Sequence, residues 1–103
     1  NSIVGNGEGW HLGVLGIVAS RLKEKYYRPS FVVSTNDGIS TGSARSVSGI
    51  DVGELIIDAV NRGILNSGGG HKMAGGFSLD SSRFEEFKEF CEKKYLIKPM
   101  KVL

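Results

Sequence analysis

Residues 68–76 read Gly-Gly-Gly-His-Lys-Met-Ala-Gly-Gly, and this stretch constrains the chain more than any other. Five glycines surround one imidazole and one ammonium. A glycine-rich loop lets backbone N–H groups converge on a small anion, and His71 and Lys72 add charge to such a cradle. The predicted guest of Gly68, Gly69, Gly70 and Lys72 is a phosphate. The bland alternative is a long turn with a histidine bonded to its own backbone.

The rest of the chain supplies alternating helices and strands. Leu15, Val18, Ala19, Leu22 and Tyr26 recur at helical spacing, which predicts a helix from about Leu12 to Tyr26. Arg28-Pro29 ends it, because a residue before proline avoids the α region. The glycine-rich residues 5–9 before it read as a turn. Phe31-Val32-Val33 is a short buried strand. Asn36-Asp37-Gly38 turns the chain, so Ile39 to Ser46 returns antiparallel.

Asp51 and Glu54 form a capping-box pair ahead of the stripe Val52, Leu55, Ile56, Ala59 and Val60. Gly63 is placed to end that helix in a left-handed turn. Met73, Gly75, Phe77 and Leu79 alternate as a strand. Ser82 with Glu85 opens a third helix, with Phe84, Phe87 and Cys91 on its buried side. The expected class is α/β, a mixed sheet of four or five strands packed with about three helices. Residues 1–96 form the domain. Residues 97–103 form a linker or the start of a following domain.

Two other segments bear chemistry. Gly9-Trp10-His11-Leu12-Gly13-Val14-Leu15-Gly16 runs from a turn into a helix, where free N–H groups favour anions or the glycines allow close helix packing. Trp10 stacks on a base or anchors the core, and His11 is a candidate phosphate donor. In Gly42-Ser43-Ala44-Arg45-Ser46, a strand turns Ser43 and Arg45 to one face, which makes either an oxyanion clamp or an ordinary exposed sheet face.

Composition excludes several classes. The formal charge of +2, from 13 basic and 11 acidic residues, is too mild for a protein that coats nucleic acid by charge alone. One cysteine makes no internal disulfide and fits a reducing compartment. With no apolar span and no signal peptide, the chain is expected in the cytoplasm. Two histidines and one cysteine do not make a structural zinc site. Asp37, Asp51 and Asp58 do not read as a metal-binding cluster.

Together, the residues 9–22 (Gly-Trp-His-Leu-Gly-Val-Leu-Gly-Ile-Val-Ala-Ser-Arg-Leu), Arg28-Pro29, residues 42–46 and residues 69–76 resemble one known domain. It is the DHHA1 domain of the RecJ family, bacterial single-strand-specific 5′-to-3′ exonucleases. The likeness covers roughly residues 3–95 in order and spacing. Gly75 stands where the family commonly has alanine. The resemblance implies a division of labour. Mn2+ or Mg2+ sits in a DHH domain absent from this chain and activates the attacking water. The DHHA1 domain faces it across a cleft and holds single-stranded DNA, including the 5′ phosphate. Ser43 and Arg45 would contact phosphate, with Ser46 beside them. The Gly68 to Lys72 loop would border the scissile bond, and His71 would act catalytically by stabilising substrate charge. This chain would bind no metal and would be inactive alone. Two other readings remain: a DHH/DHHA1 phosphodiesterase for short oligonucleotides or cyclic dinucleotides, and a non-catalytic nucleic-acid module like that of alanyl-tRNA synthetases.

Overall fold

The computed structural model describes the backbone of residues 7–97 and 99–101, and the side chains of residues 13–97 and Pro99. The elements run α1 (Gly7–Tyr26), β1 (Ser30–Asn36), β2 (Ile39–Arg45), α2 (Val52–Asn61), β3 (Ser67–Gly70), β4 (Ala74–Asp80), α3 (Phe84–Phe90) and β5 (Met100–Lys101). A single 3-10 turn, Ser81–Arg83, leads into α3, and a π turn, Cys91–Tyr95, leaves it.

One five-stranded sheet has the order β3-β4-β2-β1-β5. β3, β4, β2 and β1 pair antiparallel, while β5 lies parallel to β1 at Val32–Val33. The sheet is therefore mixed, as the sequence implied. Met100–Lys101, in the segment expected as a linker or the start of a following domain, form one of its two edges.

Alternation along the strands sorts residues to the two faces. On one face Val32 meets Leu15 and Ala19 of α1. On the other, Phe31, Val33, Ala44, Phe77 and Leu79 pack with Val52, Leu55, Ile56 and Ala59 of α2 and with Phe84 and Phe87 of α3. The rings of Phe31, Phe77 and Phe87 form a cluster with centroids 5.2–6.0 Å apart. Gly42 has no side chain because the Phe77 ring occupies the space a Cβ would need. The result is three layers, with α1 alone on one side of the sheet among the described residues.

The second helix forms as its sequence dictates. Asp51 Oδ1 accepts from the Glu54 N–H at 3.0 Å. At the far end Gly63 takes φ +78°, and the N–H groups of Ile64 and Gly63 donate to Ala59 and Val60. This is a Schellman closure. Two expectations are corrected. Residues 7–9, read as a turn, open α1. Ser82 does not cap α3: a 3-10 turn precedes the helix, and Arg83 pairs with Glu86 and donates to the Gly63 carbonyl.

Asp58 ties α2 to the π turn, receiving Lys94 at 2.7 Å and Arg62 at 3.0 Å. Lys94, then Arg62, hold its carboxyl below the ordinary value of 3.8. A carboxyl depressed on folding stabilises the fold above its unfolded value and loses that contribution as pH falls through the folded one. Asp58→Asn is expected to cost at most about 1 kcal/mol at neutral pH, because the pairs are surface pairs. The cost should shrink as pH falls below 3.8. Urea unfolding of both proteins across that range checks it. A cost that persists unchanged at acid pH contradicts it.

Candidate nucleic-acid interface

β2 ends on Arg45, and its alternation turns Ser43 and Arg45 toward α1. Ser43 is buried opposite Val32, beneath the helix. Arg45 is half-buried, and its Nη1 donates to the Ala44 carbonyl at 2.8 Å. The guanidinium lies against Gly16: a Cβ there would stand 2.6 Å from Arg45 Nη2. Gly16 is thus the position at which α1 lets the arginine cross beside it.

The arginine opens into a shallow groove of about 490 Å³ lined by Gly13, Gly16, Ile17, Ser20, Arg21, Glu24 and Arg45. Arg21 and Arg45 put two guanidiniums in one groove. Neither is in an ion pair among the described residues. Glu24 lines the same groove, so its two guanidiniums outnumber its one carboxylate, a balance that suits an oxyanion.

The glycine stretch is built differently from the expected cradle. Gly68, Gly69 and Gly70 are not a loop but strand β3, and only His71, Lys72 and Met73 turn. The turn closes with the His71 N–H donating to Ala74 at 2.9 Å. Its carbonyls face inward. The Lys72 carbonyl accepts from Val52 N–H at 3.1 Å, that of His71 from Gly53 N–H at 3.1 Å, and that of Met73 from Ser46 N–H at 2.9 Å. The first N–H groups of α2 are therefore consumed by the turn. Gly53 makes this approach possible, since a Cβ there would sit 3.0 Å from the His71 carbonyl oxygen. Ser46 is spent on the same joint, its hydroxyl donating to the Ile50 carbonyl at 2.5 Å.

What the turn offers outward is side chains. His71 and Lys72 are exposed. β3 adds backbone donors, because it is an edge strand. The His71–Ala74 bond sets the alternation of the ladder, which leaves the N–H groups of Gly68 and Gly70 on the open edge. Gly70 is fixed as glycine by φ +152° and by the close β4 backbone. An alanine at Gly75 would bring its Cβ 2.8 Å from the Gly69 carbonyl oxygen, so glycine fits this hairpin tightly.

Arg45 pairs in register with Ala74, so the arginine strand ends beside the hairpin turn. The side chains then part. Arg45 joins Arg21 against α1, while Lys72 lines a separate cleft with Ser48, Gly49, Ile50, Asp51 and Met73. Trp10 and His11 belong to the α1 backbone, and their side chains lie outside the described residues. Sequence reasoning placed Gly16 among glycines that allow close helix packing, and it missed Gly53 and the part of Arg21. The available signal was the small residues Gly13, Gly16 and Ser20, spaced to share one helix face.

The donor set does not fit a metal centre. Among the described residues no three His, Cys, Asp or Glu side chains converge. Burial pushes the Cys91 thiol up, which leaves it an unreactive core residue. No helix among the described residues is long and apolar enough to cross a membrane.

Comparison with known proteins now adds to this geometry. The DHHA1 domain family model matches residues 1–95. The single-stranded-DNA-specific exonuclease RecJ of Dickeya dadantii is 42% identical over 83 residues, which is 78% of this chain and 14% of the relative. RecJ of Bacillus subtilis is 45% identical over 73 residues, 69% of this chain and 9% of the relative. The crystal structure of Thermus thermophilus RecJ with Mn2+ superimposes with TM-score 0.70 and 35% identity over 88% of this chain and 14% of its own. The same protein with Mg2+ gives TM-score 0.68 and 36% identity, over 87% of this chain and 14% of its own. The chain thus spans about a seventh or less of these relatives, 14% at most.

Proposed function

The chain belongs to the DHHA1 domain family, and from that premise we propose that it is the substrate-binding domain of a metal-dependent 5′-to-3′ exonuclease for single-stranded DNA, serving DNA repair and recombination. The observation that carries this reading is the pair of arginines, Arg21 and Arg45, without an ion pair among the described residues and set against the single carboxylate of Glu24, in the groove that Gly16 opens beside α1. Arg45 forks onto a strand phosphate, and Arg21 adds a second charge along the backbone. His71 and Lys72 project from the hairpin turn toward the substrate, where His71 meets charge that develops at the scissile phosphate. The Gly68 and Gly70 N–H groups extend the polar edge. The divalent ion belongs with the DHH domain of the same protein, and this domain contributes binding rather than bond cleavage.

Gly16→Ala in the full-length protein tests the groove without deleting a charge. Alanine favours a helix interior by up to about 1 kcal/mol over glycine. Its Cβ takes the space of Arg45 Nη2. The expected outcome is an unchanged or raised melting temperature together with weaker binding of single-stranded DNA, by roughly 10-fold for the loss of one charge-assisted contact. Full affinity in a folded Gly16→Ala protein contradicts the groove as the phosphate seat.

A further inference from the structure

A second groove, of about 550 Å³, opens at the end of the sheet where β1 begins. All three tyrosines of the chain, Tyr26, Tyr27 and Tyr95, line it. Its walls are otherwise mostly apolar, and among the described residues Arg28 is the charged one that lines it. Tyr26, expected on the buried stripe of α1, is instead 58% exposed, with Lys25 Nζ 5.4 Å from its ring centroid.

The backbone at the mouth is unusual. Tyr27 and Leu96 take φ +53° and +57°, directly after α1 and after the π turn. Left-handed closures of this kind favour glycine, since a Cβ is disfavoured there. The third such non-glycine residue, Asp37, sits in the Asn-Asp-Gly turn, where aspartate is tolerated. Tyr27 and Leu96 are 76% and 83% exposed, the two most exposed large apolar residues described. At these exposures the side chains bury little surface, and glycine would carry the left-handed backbone with less strain. Strained, bulky residues that flank one groove point to a function for the groove.

The groove adjoins the arginine site. Ser30 lines it and is the register partner of Arg45. Leu22 and Tyr26 of α1 face this groove, while Arg21 and Glu24 of the same turns face the other. Tyrosine rings beside cations accept bases of any sequence by stacking.

We propose that this groove is a base-stacking platform for single-stranded nucleic acid, taking unpaired bases of the strand whose phosphate lies at Arg45. It rests on the phosphate reading given above, and Tyr27 and Leu96 form its outer wall.

The test uses the full-length protein and two labelled probes of equal length, oligothymidylate and an abasic strand. Tyr27→Gly and Leu96→Gly should not lower the melting temperature. Tyr27→Gly should weaken oligothymidylate binding by roughly 5- to 100-fold, Leu96→Gly, which removes wall but no ring, should weaken it less, and both should leave abasic binding unchanged. Tyr27→Phe keeps the ring and should keep the affinity. Arg45→Ala should weaken both probes alike. If the glycine variants bind oligothymidylate as tightly as the parent while Arg45→Ala does not, the stacking platform is overturned and the phosphate seat stands. If Arg45→Ala also binds both probes normally, the phosphate reading falls with it. Weaker binding of an acidic, apolar-anchored peptide by Tyr27→Gly, with oligothymidylate binding intact, would mark a protein-docking surface and overturn the proposal.

Discussion

Phe87→Ala is expected to destabilise the domain by about 3–5 kcal/mol, the range for deleting a large buried aromatic. Phe87 is fully buried, with its ring centroid 5.8 Å from that of Phe31 and 5.2 Å from that of Phe77. It is the point at which α3 grips β1 and β4. Its neighbours have little freedom to fill the gap. Phe77 already occupies the space above Gly42, and Val33, Leu79 and Cys91 are themselves fully buried. Domains of this size have a total stability of about 5–15 kcal/mol, so the substitution removes a large part of it. Urea unfolding followed by circular dichroism measures the loss. A cost under about 1 kcal/mol would mean that α3 is not held by this cluster.

The elements most legible in the sequence are those specified by short-range chemistry. The Asp51 cap, the apolar stripe of α2 and the Gly63 closure involve residues within a few positions of one another and all formed, the Asp51–Glu54 box through its Asp51 side chain. The Asn36-Asp37-Gly38 turn likewise fixed the β1–β2 register. The glycine stretch was misread for a physical reason. Glycine carries no side chain whose alternation could announce a strand. Gly68–Gly70 become β3 only by pairing with β4, which the local sequence does not encode. Ser82 and Glu85 have the spacing of a cap, but the Arg83 contacts with Glu86 and Gly63 belong to the chain's tertiary path.

For the candidate site, residue types and strand face were readable, and the grouping was not. Ser43 and Arg45 do share a face, as alternation demands. That the face lies under α1, and that Gly16 and Arg21 meet Arg45 there, depends on how the helix crosses the sheet. The inward carbonyls of His71, Lys72 and Met73 could not be anticipated either. Their partners Val52, Gly53 and Ser46 come from other elements.

Arg45→Ala in the full-length protein is expected to weaken single-stranded DNA binding by about 10- to 100-fold. A charge-assisted, bidentate contact to phosphate is worth about 1.5–3 kcal/mol. The fold should survive, because Arg45 is half-buried at the end of β2 and its side chain donates to the neighbouring Ala44 carbonyl rather than to another element. Bound metal should also be retained, since the described residues of this domain offer no cluster to hold it. Lysine at the same position keeps the charge but loses the fork, so Arg45→Lys should fall between the two. The most direct measurement compares equilibrium binding of 5′-phosphorylated and 5′-hydroxyl single strands by the parent and by Arg45→Ala, over a range of salt. If Arg45 seats the terminal phosphate, the parent prefers the phosphorylated strand, the variant loses most of that preference, and its salt dependence becomes shallower by about one phosphate contact. Unchanged affinity, end preference and salt dependence in a folded Arg45→Ala protein would contradict a phosphate-holding role for this domain's arginine groove.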